Sequence, residues 1–294
     1  MADLDLEAVR DLMISVAYEA GAMMLAANPA DIDQGTKLNS VDIVTEVDQA
    51  VEKMVSTRLS EAYPDISFMG EETYKPGMRV GPEPTFIVDP IDGTTNFIHQ
   101  LPDFCISLGL AIDRQPTIGV IYNPSQDLLF TAIKSKGAFM TRGRSSAPQR
   151  LPVSRNPQPL TGLGTALLAI EWGSDRSGSN YELKTDVFKK LAAKEGGMVH
   201  SLRSFGSAAL NIAAVAAGWL DGYWEGGCWP WDVCAGWCVL EEAGGVMVSG
   251  NPGGWKGELE ERVYLAVRGA PSGQKELVQQ LWDIMGDRRM EYSV

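Results

Sequence analysis

The sequence contains few of the residues that build histidine or cysteine metal sites. Among 294 residues there are only two histidines, His99 and His200, and four cysteines. No Cys-x-x-Cys pair is present, and the spacing of Cys228, Cys234 and Cys238 is too loose to indicate zinc. Because no export signal accompanies them, we expect the cysteines to be reduced thiols.

Long hydrophobic runs and positive charge are also scarce. No stretch approaches the run of about 18 apolar residues that predicts a membrane-spanning helix. Lysine and arginine total 25 against 38 acidic residues, which gives a net charge of −13, and no basic cluster occurs. The chain therefore lacks the electrostatic attraction that nucleic-acid or anionic-membrane binding needs. The acidic N-terminus lacks the basic start of a signal peptide, so we expect a cytoplasmic protein.

Two catalytic signatures are absent as well. The sequence has no Gly-x-x-x-x-Gly-Lys-[Ser/Thr] phosphate loop and no Gly-x-Ser-x-Gly turn, which argues against a kinase and a serine hydrolase. Hydrophobic residues make up 45% of the chain, enough for a large folded core. Because the chain is strongly acidic, binding of an anionic substrate would need positive charge from something other than its side chains.

Hydrophobic periodicity divides the chain into two predicted lobes, 1–150 and 151–294. In the first lobe, apolar residues at helical spacing predict helices over about 6–27 and 45–63. A change of period then predicts a mostly antiparallel sheet with strands over 66–69, 85–88, 104–112, 117–122 and 128–133. The polar, proline-containing stretch 141–162 is the predicted crossing between the lobes.

In the second lobe, predicted strands alternate with predicted helices. The strands cover 165–170, 198–202, 245–248 and 263–267, and the helices cover 181–194, 207–217, 232–243 and 273–285. This alternation is typical of a sheet with helices on both faces. We therefore expect an α+β fold, a layered αβαβα sandwich of two sheets with helices between and outside them. The active site is expected at the junction of the lobes.

The most informative segment is FIVDPIDGTTN, residues 86–96. An apolar strand delivers Asp89, and Asp92 follows three residues later. Gly93 and Thr94 can then open a short helix whose free N–H groups attract anions. Two carboxylates beside such amides are the parts of a Mg²⁺-assisted phosphate site. On this motif alone, a solvated surface turn is an equally good interpretation.

Further acidic residues follow other predicted elements. Glu71 follows a strand, Glu225 ends an Asp-Gly-Tyr-Trp-Glu run, and Asp232 precedes an apolar helix. Ordinary structural roles also fit them, because Asp232 can cap a helix and Glu225 can be a solvated acid at a strand end. Asp48 has capping-box spacing with Thr45.

Taken together, these motifs resemble the inositol monophosphatase family. The matching runs are Gly-Glu-Glu at 70–72, Asp-Pro-Ile-Asp-Gly-Thr-Thr-Asn-Phe at 89–97, Trp-Asp-Val-Cys-Ala-Gly at 231–236 and Glu-Glu-Ala-Gly-Gly at 241–245. They stand in the family's order and at its usual separations, and the resemblance extends from about Ala8 to Gly286. Lys37 and the Thr-Glu-Val-Asp run at 45–48 also fit, and residues 169–174 resemble fungal members.

The resemblance implies a centre of two or three Mg²⁺ ions. Glu71, Asp89 and the carbonyl of Ile91 would hold one ion, and Asp89, Asp92 and Asp232 would hold a second. Two carboxylates ~4 Å apart repel each other by several kcal/mol at an effective dielectric constant of ~20. Divalent ions reverse that field and allow an acidic protein to bind a phosphate dianion.

The resemblance also implies which residues act on the substrate. Glu71 and Thr94 would orient a metal-activated water for attack on phosphorus without a phosphoenzyme, and Asp48 would accept a hydrogen bond from the Thr94 hydroxyl. The ester phosphate would bind the Gly93 and Thr94 N–H groups. The residues expected to contact the substrate hydroxyls are Asp92, Ala208 and Glu225.

The implied activity is hydrolysis of a small-molecule phosphate monoester, foremost myo-inositol 1-phosphate to myo-inositol and phosphate. Inhibition by Li⁺ and a homodimer belong to the same expectation. Two alternatives remain open: a bisphosphatase acting on a 3′-phosphonucleotide or a sugar bisphosphate, and a catalytically idle binding homologue. The complete set of carboxylates argues against the idle homologue.

One segment, 225–231, departs from the family pattern because it is richer in glycine and aromatic residues. Trp219, Trp224, Trp229 and Trp231 could therefore form an aromatic wall for the substrate. Packing at the junction of the lobes is the alternative interpretation, because large aromatic side chains are mostly buried.

Overall fold

The structure is a computed structural model that describes residues 4–27, 34–36 and 43–293. In these ranges the helices are α1 (Leu6–Ala26), α2 (Glu46–Ala62), α3 (Thr94–Ile98), α4 (Gly178–Ala192), α5 (Ala208–Ala217), α6 (Pro230–Glu242) and α7 (Gln274–Met285). The strands are β1 (Gln34–Thr36), β2 (Ile43–Thr45), β3 (Ser67–Gly70), β4 (Thr85–Asp92), β5 (Cys105–Ile112), β6 (Gln115–Asn123), β7 (Leu128–Ile133), β8 (Gly137–Arg142), β9 (Gln149–Arg150), β10 (Leu167–Ile170), β11 (Ser201–Arg203), β12 (Gly222–Gly226), β13 (Val246–Ser249) and β14 (Val263–Val267).

The first large sheet has seven strands in the order β3-β4-β5-β6-β7-β8-β9. Only β3 and β4 are parallel, so the predicted antiparallel character is confirmed. Helix α1 begins after Asp5, whose side chain accepts bonds from the Glu7 and Ala8 N–H groups. Its buried stripe includes Val9, Met13 and Val16, which pack with α2 on the outer face of this sheet.

The second large sheet has five strands in the order β11-β10-β12-β14-β13. Helices α4 and α7 share a buried cluster with one face of this sheet. Helices α5 and α6 share another cluster with residues of both large sheets, so they lie between them. The expected αβαβα layering is thereby confirmed.

Two glycines allow α6 to approach the first sheet closely. Gly109 and Gly119 are register partners on β5 and β6. A Cβ on Gly119 would lie 2.2 Å from the Ala235 carbonyl oxygen, and one on Gly109 would lie 2.5 Å from Cys234 Sγ. Glycine at both positions therefore brings α6, with Asp232 in its first turn, against the sheet that carries Asp89 and Asp92.

Some elements differ from the sequence prediction. No strand is predicted from the sequence between the first two helices, yet β1 and β2 pair as a small antiparallel sheet. Strands β8 and β9 extend into the predicted crossing, and β12 was not predicted because Gly-Tyr-Trp-Glu-Gly is short and glycine-flanked. Lys37 lies outside the described residues, and the lobe boundary at 150 stays a prediction. In the described part of the chain, no helix has the length and hydrophobicity needed to span a membrane.

Candidate functional site

Three of the predicted carboxylates come from adjacent strands of the first sheet. Because β3 and β4 are parallel, their carboxyl ends lie at the same edge, and the Glu71 N–H donates to the Val88 carbonyl at 3.1 Å. Asp89 and Asp92 lie on β4 on either side of an irregularity in its pairing with β5. They are 2% and 7% exposed, so the alternative of a solvated surface turn is wrong.

Asp232 reaches the same place from the other side of the molecule. It lies in the first turn of α6, where its Oδ2 accepts the Trp229 N–H at 2.6 Å. It thus has the helix-capping role that the sequence allowed. Its carboxylate also lies with those of Asp89 and Asp92 in a cluster whose ligand atoms are all within 4.8 Å of one another.

The electrostatics of this cluster fit a divalent cation. Burial and the neighbouring carboxylates raise the pKa of Asp89 and of Asp232 well above the usual range. In the described ranges, no Lys or Arg forms an ion pair with Asp89, Asp92 or Asp232. A compact set of carboxylate oxygens is the donor set that Mg²⁺ prefers.

Asp92 has the most hydrogen bonds of the three. Its Oδ2 accepts the Ser207 hydroxyl at 2.6 Å and the Ala209 N–H at 2.6 Å, and its Oδ1 accepts the Ala208 N–H at 3.3 Å. Burial raises the pKa of Asp92 to about 6, while these bonds at the start of α5 act in the opposite direction. Ser207, which also caps α5, was not predicted because its contact with Asp92 spans 115 residues of sequence.

A tight turn after β4 contains two more of the predicted residues, Gly93 and Thr94. Gly93 has a φ of +92°, and a Cβ there would lie 2.9 Å from the Asp103 carbonyl oxygen, so glycine is required. Thr94 begins α3, and its hydroxyl donates to the Ile91 carbonyl at 3.0 Å. The same hydroxyl is 3.4 Å from Oδ1 of Asp48, a buried carboxylate in the first turn of α2.

Beside the cluster is a cavity of about 570 Å³. Four predicted residues line it: Asp92, Ala208, Glu225 and Asp232. Glu225 lies on β12 and accepts the Tyr223 hydroxyl. Burial and the nearby charge of Glu171 raise the pKa of Glu225 to about 7. Asp92 and Asp232 belong to both features, so they join the cluster to the cavity.

Sequence reasoning missed the role of Glu171. This buried carboxylate accepts the N–H groups of Phe205 at 2.6 Å and Gly206 at 2.9 Å, and the Asn211 amide at 2.8 Å. It therefore holds the segment that leads into α5. A single acid after a strand gives no periodic signal, so only its long-range contacts reveal this function.

Trp224, Trp229 and Trp231 pack against neighbouring residues, as the sequence also allowed, whereas Trp219 is 40% exposed. Trp224 is buried and donates to the Gly250 carbonyl, while Trp229 and Trp231 stack on each other with centroids 5.2 Å apart. Neither these three nor Trp219 lines the cavity. Its aromatic lining comes from Trp172 and Tyr292.

Comparisons with known proteins agree with this geometry. The sequence model of the inositol monophosphatase family matches residues 5–286. Inositol monophosphatase 2 of Saccharomyces cerevisiae is 48% identical over 252 residues, which cover 84% of this chain and 83% of that protein. Inositol monophosphatase 1 of the same yeast is 40% identical, covering 93% and 92% of the two chains. The crystal structure of the extragenic suppressor protein suhB from Bartonella henselae matches with a TM-score of 0.76 and 29% identity, covering 93% and 98%.

Proposed function

Because the chain belongs to the inositol monophosphatase family, we propose that it hydrolyses myo-inositol 1-phosphate to myo-inositol and phosphate. The enzyme is a phosphoric monoester hydrolase. The observation that carries the proposal is the cluster of buried Asp89, buried Asp92 and half-buried Asp232 at the edge of a cavity. Among the described residues, this is the one group of His, Cys, Asp or Glu side chains with metal-site spacing.

We propose that this cluster binds Mg²⁺, in two or three positions. Glu71, Asp89 and the Ile91 carbonyl would hold one ion, and Asp89, Asp92 and Asp232 a second. When bound, Mg²⁺ supplies positive charge for the phosphate and lowers the pKa of water. Inhibition by Li⁺, expected for this family, would act at the position formed by Asp92 and Asp232.

The remaining residues would orient the reactants. Thr94 and Glu71 would hold the attacking water. The Thr94 hydroxyl would then donate its one hydrogen to Asp48 instead of to the Ile91 carbonyl, and its oxygen would accept a hydrogen bond from that water. The N–H groups of Gly93 and Thr94 would bind the ester phosphate. The residues that would face the substrate hydroxyls are Asp92, Ala208 and Glu225. This arrangement needs no phosphoenzyme.

A carboxylate at Glu225 favours a monoester over a bisphosphate. It attracts ring hydroxyls and repels a second phosphate group, so it discriminates in two ways. This residue supports the monophosphatase against the bisphosphatase alternative. The homodimer is proposed from the family resemblance alone, and the cytoplasmic location stays a prediction from the sequence.

A phosphate-release assay with a panel of esters tests the substrate. The purified protein is given myo-inositol 1-phosphate, a 3′-phosphonucleotide and a sugar bisphosphate in Mg²⁺ buffer, with and without millimolar LiCl. We expect the highest kcat/KM for inositol 1-phosphate and inhibition by Li⁺. A preference for either bisphosphate would contradict the proposed substrate, and absence of turnover on every ester would support the idle homologue.

A further inference from the structure

The C-terminal tail, residues 287–293, packs beside the cavity although it lies beyond the residues matched by the family model. Met290 and Asn251 exchange two hydrogen bonds, of 2.8 and 2.9 Å. Glu291 and Asn180 exchange two more, of 2.8 and 3.0 Å. Met290 is also only 2% exposed. The tail is therefore held in place by hydrogen bonds to residues of the second lobe.

Tyr292 is the tail residue that lines the cavity. Its hydroxyl donates to Asp175 Oδ2 at 2.7 Å, and Asp175 lies 3.6 Å from the buried ammonium of Lys184. The backbone beyond it is held by Arg262, which donates to the Ser293 carbonyl at 2.7 Å. Tyr292 is thus fixed at its hydroxyl and along its backbone.

The tail also explains the glycine-rich departure from the family pattern. A Cβ on Gly226 would lie 2.6 Å from Met290 Sδ and 2.9 Å from Tyr292 Cε2. The Gly226 carbonyl accepts from Lys184 at 2.8 Å, and Gly227 has a φ of +108°. The two glycines therefore make room for the tail directly beside Glu225. The two glycines that depart from the family pattern are thus the residues that the tail packs against.

We propose that Tyr292 is a specificity-determining residue that closes one side of the cleft to large leaving groups. The inference rests on the proposed phosphatase function. A ring anchored at both ends loses little further conformational freedom when the substrate binds, so it acts as a fixed wall. A compact polyol ester fits beside this wall, whereas a nucleoside ester requires the space that the ring occupies.

The test compares two esters that differ in size, 2′-AMP and glycerol 2-phosphate, in wild type and Tyr292→Ala. We expect the ratio of kcat/KM for 2′-AMP to that for glycerol 2-phosphate to rise ~10-fold or more in Tyr292→Ala, the scale on which pocket shape discriminates. Arg288→Ala is the matched control, since Arg288 is in the same tail but pairs with the exposed Asp186. In Arg288→Ala, the ratio of kcat/KM for 2′-AMP to that for glycerol 2-phosphate should equal the wild-type ratio.

An unchanged ratio in Tyr292→Ala overturns the inference, and so does an equal loss of both activities, because a merely structural role would impair both esters alike. If Tyr292→Ala melts below the assay temperature, Tyr292→Leu gives the same test while keeping an apolar side chain against Met290. Neither ester is inositol 1-phosphate. A wild type that hydrolyses both esters but not inositol 1-phosphate contradicts the proposed substrate, while the ratio still decides the role of Tyr292.

Discussion

Asp92 connects the first large sheet to helix α5 through a single side chain. It lies at the end of β4 in the first sheet, and it accepts hydrogen bonds from Ser207, Ala208 and Ala209 at the start of α5. These donors stabilise the ionised carboxylate in a buried place. Asp92 is therefore held ready as a ligand before any cation binds, and the orientation of α5 depends on the same bonds.

Thr94→Ala tests whether the turn after β4 takes part in catalysis. We expect kcat to fall on the order of 100-fold with little change in KM, because orientation of the water matters mainly in the transition state. Steady-state kinetics with inositol 1-phosphate measures both constants. Thr57→Ala is the control, since Thr57 also has its hydroxyl bonded to a backbone carbonyl but lies on the exposed face of α2. Unchanged turnover in both Thr94→Ala and Asp48→Asn would leave these residues with structural roles only.

Glu225→Gln tests recognition of the polyol. Loss of one charged hydrogen bond, about 1.5–3 kcal/mol, should lower kcat/KM for inositol 1-phosphate by ~10-fold or more. The rate on p-nitrophenyl phosphate, which has no polyol, should change little. Glu195→Gln, at an exposed position, serves as the control. If Glu225→Gln slowed both substrates equally, the carboxylate would contribute to the fold and not to recognition.

The residues predicted from sequence are those within short, local motifs. Asp89, Asp92 and Gly93 stand together in one run, so their shared chemistry is visible without a structure. Glu171 and Tyr292 act through contacts with residues 34 and 117 positions away in sequence, and no local pattern encodes such contacts.

The position of helix α6 determines where Asp232 lies in the site. Its first turn carries Asp232, and its middle rests on the paired glycines of β5 and β6. A helix moved outward by even the thickness of a methyl group would take Asp232 away from Asp89 and Asp92. The site thus depends on packing at residues that never contact substrate.

Gly119→Ala tests this dependence. The added Cβ would lie 2.2 Å from the Ala235 carbonyl oxygen, a backbone atom that can move only if α6 moves. We expect a loss of about 1–3 kcal/mol in the free energy of unfolding, measured by urea denaturation, together with weaker activation by Mg²⁺. Gly164→Ala is the matched control because its Cβ would meet nothing within 4 Å. Equal stability and equal Mg²⁺ activation in both variants would show that α6 tolerates displacement.

The sequence predicted the helices better than the short strands. Helices α1, α2 and α7 have long apolar stripes, and their bounds agree with the structure to within a few residues. Strand β12 has only five residues with glycine at both ends, and it forms because β10 and β14 pair with it on either side. That stabilisation is tertiary, so the pattern of the segment alone could not indicate it.

The raised pKa values of the acidic residues in the site predict that the thermal stability of the whole protein depends on pH and on bound metal. Without metal, the pKa values of Glu225, about 7, and Asp92, about 6, are above the usual 4.5 and 3.8. The folded protein then keeps protons that the unfolded chain releases, so its stability falls as pH rises from about 4 to about 7. In EDTA we therefore expect a lower Tm at pH 8 than at pH 5.

Addition of Mg²⁺ at pH 8 should raise the Tm on the order of 5 °C or more, because the ion binds the folded state and neutralises the charge of the Asp89, Asp92 and Asp232 cluster. Thermal unfolding followed by circular dichroism at both pH values measures the effect. Asp89→Asn should show a smaller increase with Mg²⁺. A Tm in EDTA that rose with pH would contradict the assignment of the buried charges.

We propose that the carboxylate cluster makes this chain a Mg²⁺-dependent inositol phosphate phosphatase. The most direct measurement is phosphate release from myo-inositol 1-phosphate as a function of free Mg²⁺, for wild type and for Asp89→Asn, with folding of both verified by circular dichroism. We expect wild-type turnover to require Mg²⁺ and Asp89→Asn to lose most of that turnover while staying folded, since the charge is removed and the volume is kept. Full turnover in excess EDTA, or an unimpaired Asp89→Asn, would contradict the proposal.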